Sequence, residues 1–297
     1  MTTLKTITGP MRVSFLVLPP VCVLLGTGTA VWQTGHVSGL DVFLAFVGAV
    51  AAHISVNAFN EYYDFRSGLD LKTERTPFSG GSGTLPANPD MAGTTLATAW
   101  ITFALTAFIG VFFMFIRGLA LLPLGAAGLI LIFGYTTWFT RKPFLCLIAP
   151  GLGFGPFMVM GTHFVLTGAY TWTAFVASLV PFFLVSNLLL LNQFPDVAAD
   201  RSIGRKHFPI TIGRKNSSYV YGLFLLLTYL TLGGGVFFNW LPAKALIGMV
   251  TAAVAVPASI GAYRYHADME KLLPYMGMNV VINILTPILM AAGLLIA

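Results

Sequence analysis

Apolar residues run along this chain in long, unbroken stretches. Nine of them, residues 13–32, 41–60, 94–116, 119–138, 144–167, 172–192, 218–238, 241–262 and 276–297, approach or exceed the length of about 20 residues that a helix needs to cross a bilayer. A membrane-spanning barrel strand would alternate apolar and polar positions, and these stretches do not. Polar residues collect between them, chiefly in two loops, 60–93 and 193–217. The pattern predicts an all-α, polytopic membrane protein with nine transmembrane helices in a single domain over residues 1–297. Lys5 and Arg12 precede the first stretch as in a secretory signal. Pro19 and Pro20 interrupt that stretch, however, and eight more spans follow, so it reads as a retained helix.

Composition agrees with this reading. With 57% hydrophobic residues, 9% charged residues and a mean hydropathy of +0.83, the chain is not an ordinary soluble globule. Nine spans put residues 1–12, 60–93, 139–143, 193–217 and 263–275 on one side. That side carries every basic residue except Arg117 and Lys244, and every acidic residue except Asp41. The bias predicts that the N-terminus and these loops are cytoplasmic, with the chain in the inner (plasma) membrane of the cell. The net charge of +6 is spread over membrane-flanking loops, which suits anionic lipid headgroups or a phosphorylated substrate and not nucleic acid. Cys22 and Cys146 lie inside apolar stretches and imply no disulfide framework.

Carboxylates are costly near hydrocarbon, yet Glu61, Asp64, Asp70, Asp196 and Asp200 stand in two clusters at the ends of apolar stretches. If both stretches continue as helices, Asn57, Asn60 and Asp64 share one face, and so do Asn192, Asp196 and Asp200. Two such faces opposed across a cavity offer hard oxygen ligands suited to Mg²⁺, which completes its shell with substrate phosphate. Arg66, Lys72, Arg75, Arg201, Arg205 and Lys206 flank the acids. They either hold phosphate oxygens or cap helices and meet headgroups. Acids for a metal beside bases for an anion imply a metal–diphosphate site. The loop Ser79 to Gly83 either brings backbone amides to an anion or simply connects, and no nucleotide-binding motif accompanies it. His53, one turn before Asn57, either lines the cavity or packs between helices. His36, His163, His207 and His266 complete no triad or zinc arrangement. Asn60 with Asp64 after the second span, and Asn192 with Asp196 after the sixth, suggest a duplicated four-helix unit.

The segment Asn57 to Asp70 resembles the first aspartate-rich motif of the UbiA-type intramembrane aromatic prenyltransferase superfamily. Asp196, Asp200 and Arg201, followed by Gly204, Arg205 and Lys206 and by Ile212, Gly213 and Arg214, resemble its second. The gap between Asp64 and Asp70 looks like that of the branch that prenylates 1,4-dihydroxy-2-naphthoate for menaquinone. The resemblance covers nearly the whole chain. It implies helices in a horseshoe around a central cavity open sideways to membrane lipid, with Mg²⁺ bridging both motifs to a polyprenyl diphosphate. It also implies prenyl transfer to an aromatic acceptor such as a dihydroxynaphthoate. Carried over by position, Asn60, Asp64, Asp196 and Asp200 are the metal or diphosphate candidates, with Asp70 next. Arg12 matches an arginine near the cavity, and Tyr135 matches a tyrosine-containing segment with Arg141 or Lys142 as a diphosphate contact. Two positions depart from the pattern: Glu61 stands where many members have Asp, and Gly155 where the menaquinone branch often has an acid. The implied chemistry is electrophilic alkylation of the ring as the diphosphate leaves. The competing reading is a cation-coupled transporter, whose acids would commonly lie near mid-membrane.

Overall fold

Prolines and glycines between the apolar stretches decide where each helix starts and stops. The structure is a computed structural model that describes residue 6 and residues 8–297; Lys5 lies outside the described residues. All regular structure among those residues is helical. Two short 3₁₀ turns, Gly9–Met11 and Val13–Phe15, lead into α1 (Leu18–Thr34). Pro19 and Pro20 lack the N–H groups that would extend α1 backwards, and the chain bends by 51° at this break. α2 (Gly39–Arg66) starts on Ser38, whose side chain accepts from the Asp41 backbone N–H, and carries Asp41 in its first turn and Arg66 in its last, as the helix dipole favours. There follow α3 (Ala92–Arg117), α4 (Leu122–Gly134), α5 (Pro143–Thr167), α6 (Trp172–Ser202), α7 (Gly213–Phe237), α8 (Ala243–Arg264, opening with a 3₁₀ stretch) and α9 (Met269–Leu295).

Among the described residues, seven helices are long and apolar enough to cross a membrane singly: α2, α3 and α5 through α9. The first expected span qualifies only as the bent pair Gly9–Phe15 and α1, which makes eight. The fourth, expected over 119–138, is the shorter helix Leu119–Gly134. Beyond Gly134 the backbone turns through Tyr135 to Trp138 into the 3₁₀ turn Phe139–Arg141. The count is therefore seven to eight spans of full length, where the hydropathy pattern predicts nine.

α6 is the centre of the molecule. It is apolar on nearly every side, as a fully surrounded helix must be, and it packs against α5, α7 and α9. Leu184, Leu188, Leu191 and Phe194 are almost wholly enclosed. α3 instead turns Trp100, Ile101, Phe108 and Phe115 outward, the surface a lipid-facing helix presents. α5 approaches α6 through glycine: a Cβ on Gly151 would lie 2.2 Å from the Phe182 carbonyl oxygen, and one on Gly155 2.4 Å from that of Ser178. Around this contact, Gly153–Met160 is π-helical, with Pro156 inside it supplying no N–H. Gly155 thus faces the α6 backbone, which leaves no room there for an acid. The C-terminal ends of α2 and α6 converge at one end of the bundle, beside the glycine-rich loop.

Candidate active site

Helical spacing brings Asn57, Asn60 and Asp64 to one buried face of α2, and Asn192, Asp196 and Asp200 to the facing end of α6. Together with Asp70, Arg12, Tyr135 and Arg205 they line a polar cavity of about 140 Å³. Asn60 is a hub. Its amide donates to Asp64 Oδ2 at 3.0 Å and to Thr136 Oγ1 at 3.2 Å, while its oxygen accepts from Arg12 Nη2 at 2.7 Å. Asn57 donates to the Met11 carbonyl at 3.2 Å, tying the N-terminal turn to α2.

Arg205 joins the two clusters. Its guanidinium donates to Asp200 Oδ1 at 2.8 Å and, through the other terminal nitrogen, to Asp64 Oδ1. Gly204, with φ of +80°, makes the turn that folds Arg205 back toward Asp200. Burial would lower the guanidinium's pKa, but Asp64 and Asp200 outweigh it and hold Arg205 above its ordinary value. His207 Nε2 lies 2.9 Å from the second Asp200 oxygen. Both oxygens of Asp200, like both of Asp64, are thus engaged, whereas Asp70 Oδ2, Asn192 Oδ1 and Asp196 Oδ1 are buried without a partner. Asp70 is pushed up to about 7 by burial, with Asp64 and Glu61 adding to the effect.

Three orphaned oxygens around one cavity are the donor set a hard cation uses, and oxygen acceptors left dry are costly unless something meets them. Among the described residues no three His, Cys, Asp or Glu side chains form a ready cage. A metal here would need ligands beyond these side chains. Asn192, Asp196, Asp70, Asp64 and Asn60 fit a Mg²⁺ that keeps waters or takes phosphate oxygens.

Glu61 points elsewhere. Its carboxylate accepts from Arg12 Nε at 2.8 Å, and from the Ser82 backbone N–H and hydroxyl at 2.8 and 2.7 Å. It fastens the glycine-rich loop to Arg12, and Gly80 and Gly81 of that loop line the cavity with positive φ. A Cβ on Gly81 would stand 3.2 Å from Asp70 Oδ1 and 3.3 Å from Glu61 Oε1, tight against both acids.

The other expected bases are not in the cavity. Arg66, Lys72, Arg75, Arg141, Lys142, Arg201 and Lys206 are all exposed. Lys72 reaches the Ser202 hydroxyl at 3.5 Å, and Arg75 lies over Gly83. The two guanidiniums that do line it are Arg12 and Arg205. In the sequence Arg205 stood among several flanking bases and in the segment that resembles the second motif, and His207 offered a contact to phosphate or to bulk water, not to Asp200; the left-handed turn at Gly204 is the local signal that sets Arg205 apart.

The polar cavity adjoins a larger apolar one of about 450 Å³, lined by α2, α3, α4 and the π-helical part of α5. Arg12, Asn57, Asn60, Tyr135 and Phe154 border both. An acid- and guanidinium-lined head joined to an apolar chamber within a helical membrane bundle defines a class of protein that handles an amphiphile with an anionic end. The chain belongs to the UbiA prenyltransferase family, whose sequence profile matches residues 18–283, and is thus a transferase of prenyl groups. It is 27% identical over 241 residues to the 1,4-dihydroxy-2-naphthoate octaprenyltransferase of Bacillus subtilis, covering 80% of this chain and 71% of that protein. Its fold is similar to that of a UbiA homologue from Aeropyrum pernix in the apo form (TM-score 0.73, 16% identity, 96% and 98% of the two chains). It is also similar to a UbiA homologue from Archaeoglobus fulgidus bound to DMAPP and Mg²⁺ (TM-score 0.68, 16% identity, 99% of each chain).

Proposed function

We propose that this protein transfers a prenyl group from a polyprenyl diphosphate to a hydroxylated aromatic acceptor of the dihydroxynaphthoate type, with Mg²⁺, at the cytoplasmic face of the inner membrane. The observation that carries this reading is the adjacency of the two cavities, one polar and one apolar, which share Arg12, Asn57, Asn60, Tyr135 and Phe154 in their walls. An isoprenoid tail belongs in the apolar chamber and its diphosphate in the polar one. The allylic carbon between them then sits at the border, beside Tyr135 and Phe154.

Four carboxylates and two guanidiniums line the polar cavity. Left to itself, that balance repels a diphosphate, so binding the anion here would call for a divalent cation as well. Asp64, Asp70, Asp196, Asn60 and Asn192 would hold Mg²⁺, whose chemistry there would be to neutralise charge on the departing diphosphate. Arg12 and Arg205 add donors, with Arg12 held in place by Glu61 and Asn60. The apolar walls exclude water that would quench an allylic cation. The Bacillus subtilis relative supports the acceptor class, and the DMAPP- and Mg²⁺-bound homologue supports the donor and metal.

Purified full-length protein with Mg²⁺, labelled geranyl diphosphate and a panel of aromatic acceptors including 1,4-dihydroxy-2-naphthoate is expected to release diphosphate and form prenylated product. Absence of both across the panel would sink the reading.

A further inference from the structure

His53 stands on α2 one turn before Asn57, on the face that carries Asn57, Asn60 and Asp64. It is 6% exposed and borders both cavities. Its Nδ1 is buried without a partner, and the ring makes no hydrogen bond among the described residues. Its ring meets Phe154 edge-on, with centroids 5.0 Å apart. The molecule contains its own comparison. His163, wholly enclosed within α5, has Nδ1 3.0 Å from Thr29 Oγ1 and Nε2 3.2 Å from Thr171 Oγ1. That is a packing histidine with both nitrogens satisfied, and His53 is not one.

Three of the polar side chains that share the border with His53 are already held by other partners. Arg12 is held by Glu61 and Asn60, Asn57 by the Met11 carbonyl, and Asn60 by Asp64 and Thr136. A polar ring kept dry and unpaired at the mouth of a ligand chamber is costly unless a ligand completes it. An imidazole offers a nitrogen donor and a nitrogen acceptor, which matches a hydroxyl, itself both donor and acceptor.

We infer that His53 hydrogen-bonds a ring hydroxyl of the aromatic acceptor and thereby decides which ring substituents are admitted; this rests on the prenyl-transfer reading. The acceptor ring must reach the allylic carbon, and that carbon lies at the border His53 occupies. Phe154 fixes the imidazole edge-on and offers an apolar face to the incoming ring.

The test uses the full-length protein with Mg²⁺, geranyl diphosphate as donor probe, and 1,4-dihydroxy-2-naphthoate and its two monomethyl ethers as acceptor probes. In the wild type, methylating the contacted hydroxyl lowers kcat/KM about tenfold, because the site loses a hydrogen bond it was built to make. His53→Phe lowers kcat/KM for the parent acceptor by a similar factor and no longer distinguishes parent from ether. His53→Gln, which restores a hydrogen-bonding side chain, regains part of both. The KM for geranyl diphosphate stays unchanged in both variants. If His53→Phe discriminates between parent and ethers as the wild type does, or if either variant loses geranyl diphosphate affinity, the inference falls while the function stands. A wild type that makes no prenylated product overturns both.

Discussion

Asp70 shows how the cavity opposes its own charge. Buried and flanked by Asp64 and Glu61, its carboxyl is pushed from an ordinary 3.8 up to about 7. Between those values the folded protein holds a proton that the unfolded chain has released, so metal-free stability falls as pH rises from about 4 to about 7. Asp70→Asn removes that dependence. In thermal melts of metal-free protein, the wild type is expected to lose more of its melting temperature across this window than Asp70→Asn, and parallel curves would contradict the assignment. At this scale the sequence was informative wherever a helix fixed direction. The spacing of Asn57, Asn60 and Asp64, and of Asn192, Asp196 and Asp200, settles which side chains share a face, and all six line one cavity. It was uninformative where direction depends on a turn. Arg205 and Lys206 are adjacent bases, yet the left-handed Gly204 folds one inward and leaves the other exposed. Seven of the nominated bases are exposed, Arg66 and Arg201 in the last turns of α2 and α6 and the other five in the segments between the long helices, and the resemblance of Glu61 to a motif acid did not reveal that it holds Arg12 and Ser82.

Among the elements, the α5–α6 contact is the least forgiving. Gly155→Glu would drive a Cβ against the Ser178 carbonyl and bury a carboxylate between two helices. It should cost roughly 3 kcal/mol or more and sharply reduce the yield of folded protein. Gly153→Ala, two residues away in the same π-helical stretch, meets only Leu131 Cδ2 at 3.8 Å and should be tolerated. Detergent-solubilised yield and melting temperature compare the two, and equal behaviour would show that the contact does not govern packing. Hydropathy located every long helix because continuous apolar runs have one stable form in lipid. It could not show the π-helix, which contains Pro156 and the close approach of Gly155 to α6. It overran α4, because the apolar run continues past Gly134 while the backbone turns.

Across the whole molecule, Arg205 pins α2 to the segment that follows α6. Arg205→Met would leave Asp64 and Asp200 without their shared cation at a buried site, and the loss of one partner from such a pair costs about 3–5 kcal/mol. Added Mg²⁺ should raise the melting temperature of Arg205→Met more than that of the wild type, since a divalent ion can neutralise the same carboxylates; equal shifts would argue against a shared site. On the proposed reading, the two acidic clusters act as halves of one metal–diphosphate site. Equilibrium binding of labelled geranyl diphosphate, with Mg²⁺ or with EDTA, to the wild type, Asp64→Ala, Asp196→Ala and the double variant tests it most directly. Binding that requires Mg²⁺, is largely lost in each single variant and is scarcely weaker in the double is the expected result, because groups acting as a unit are not additive. Binding that persists in EDTA, or losses that simply add, would contradict it.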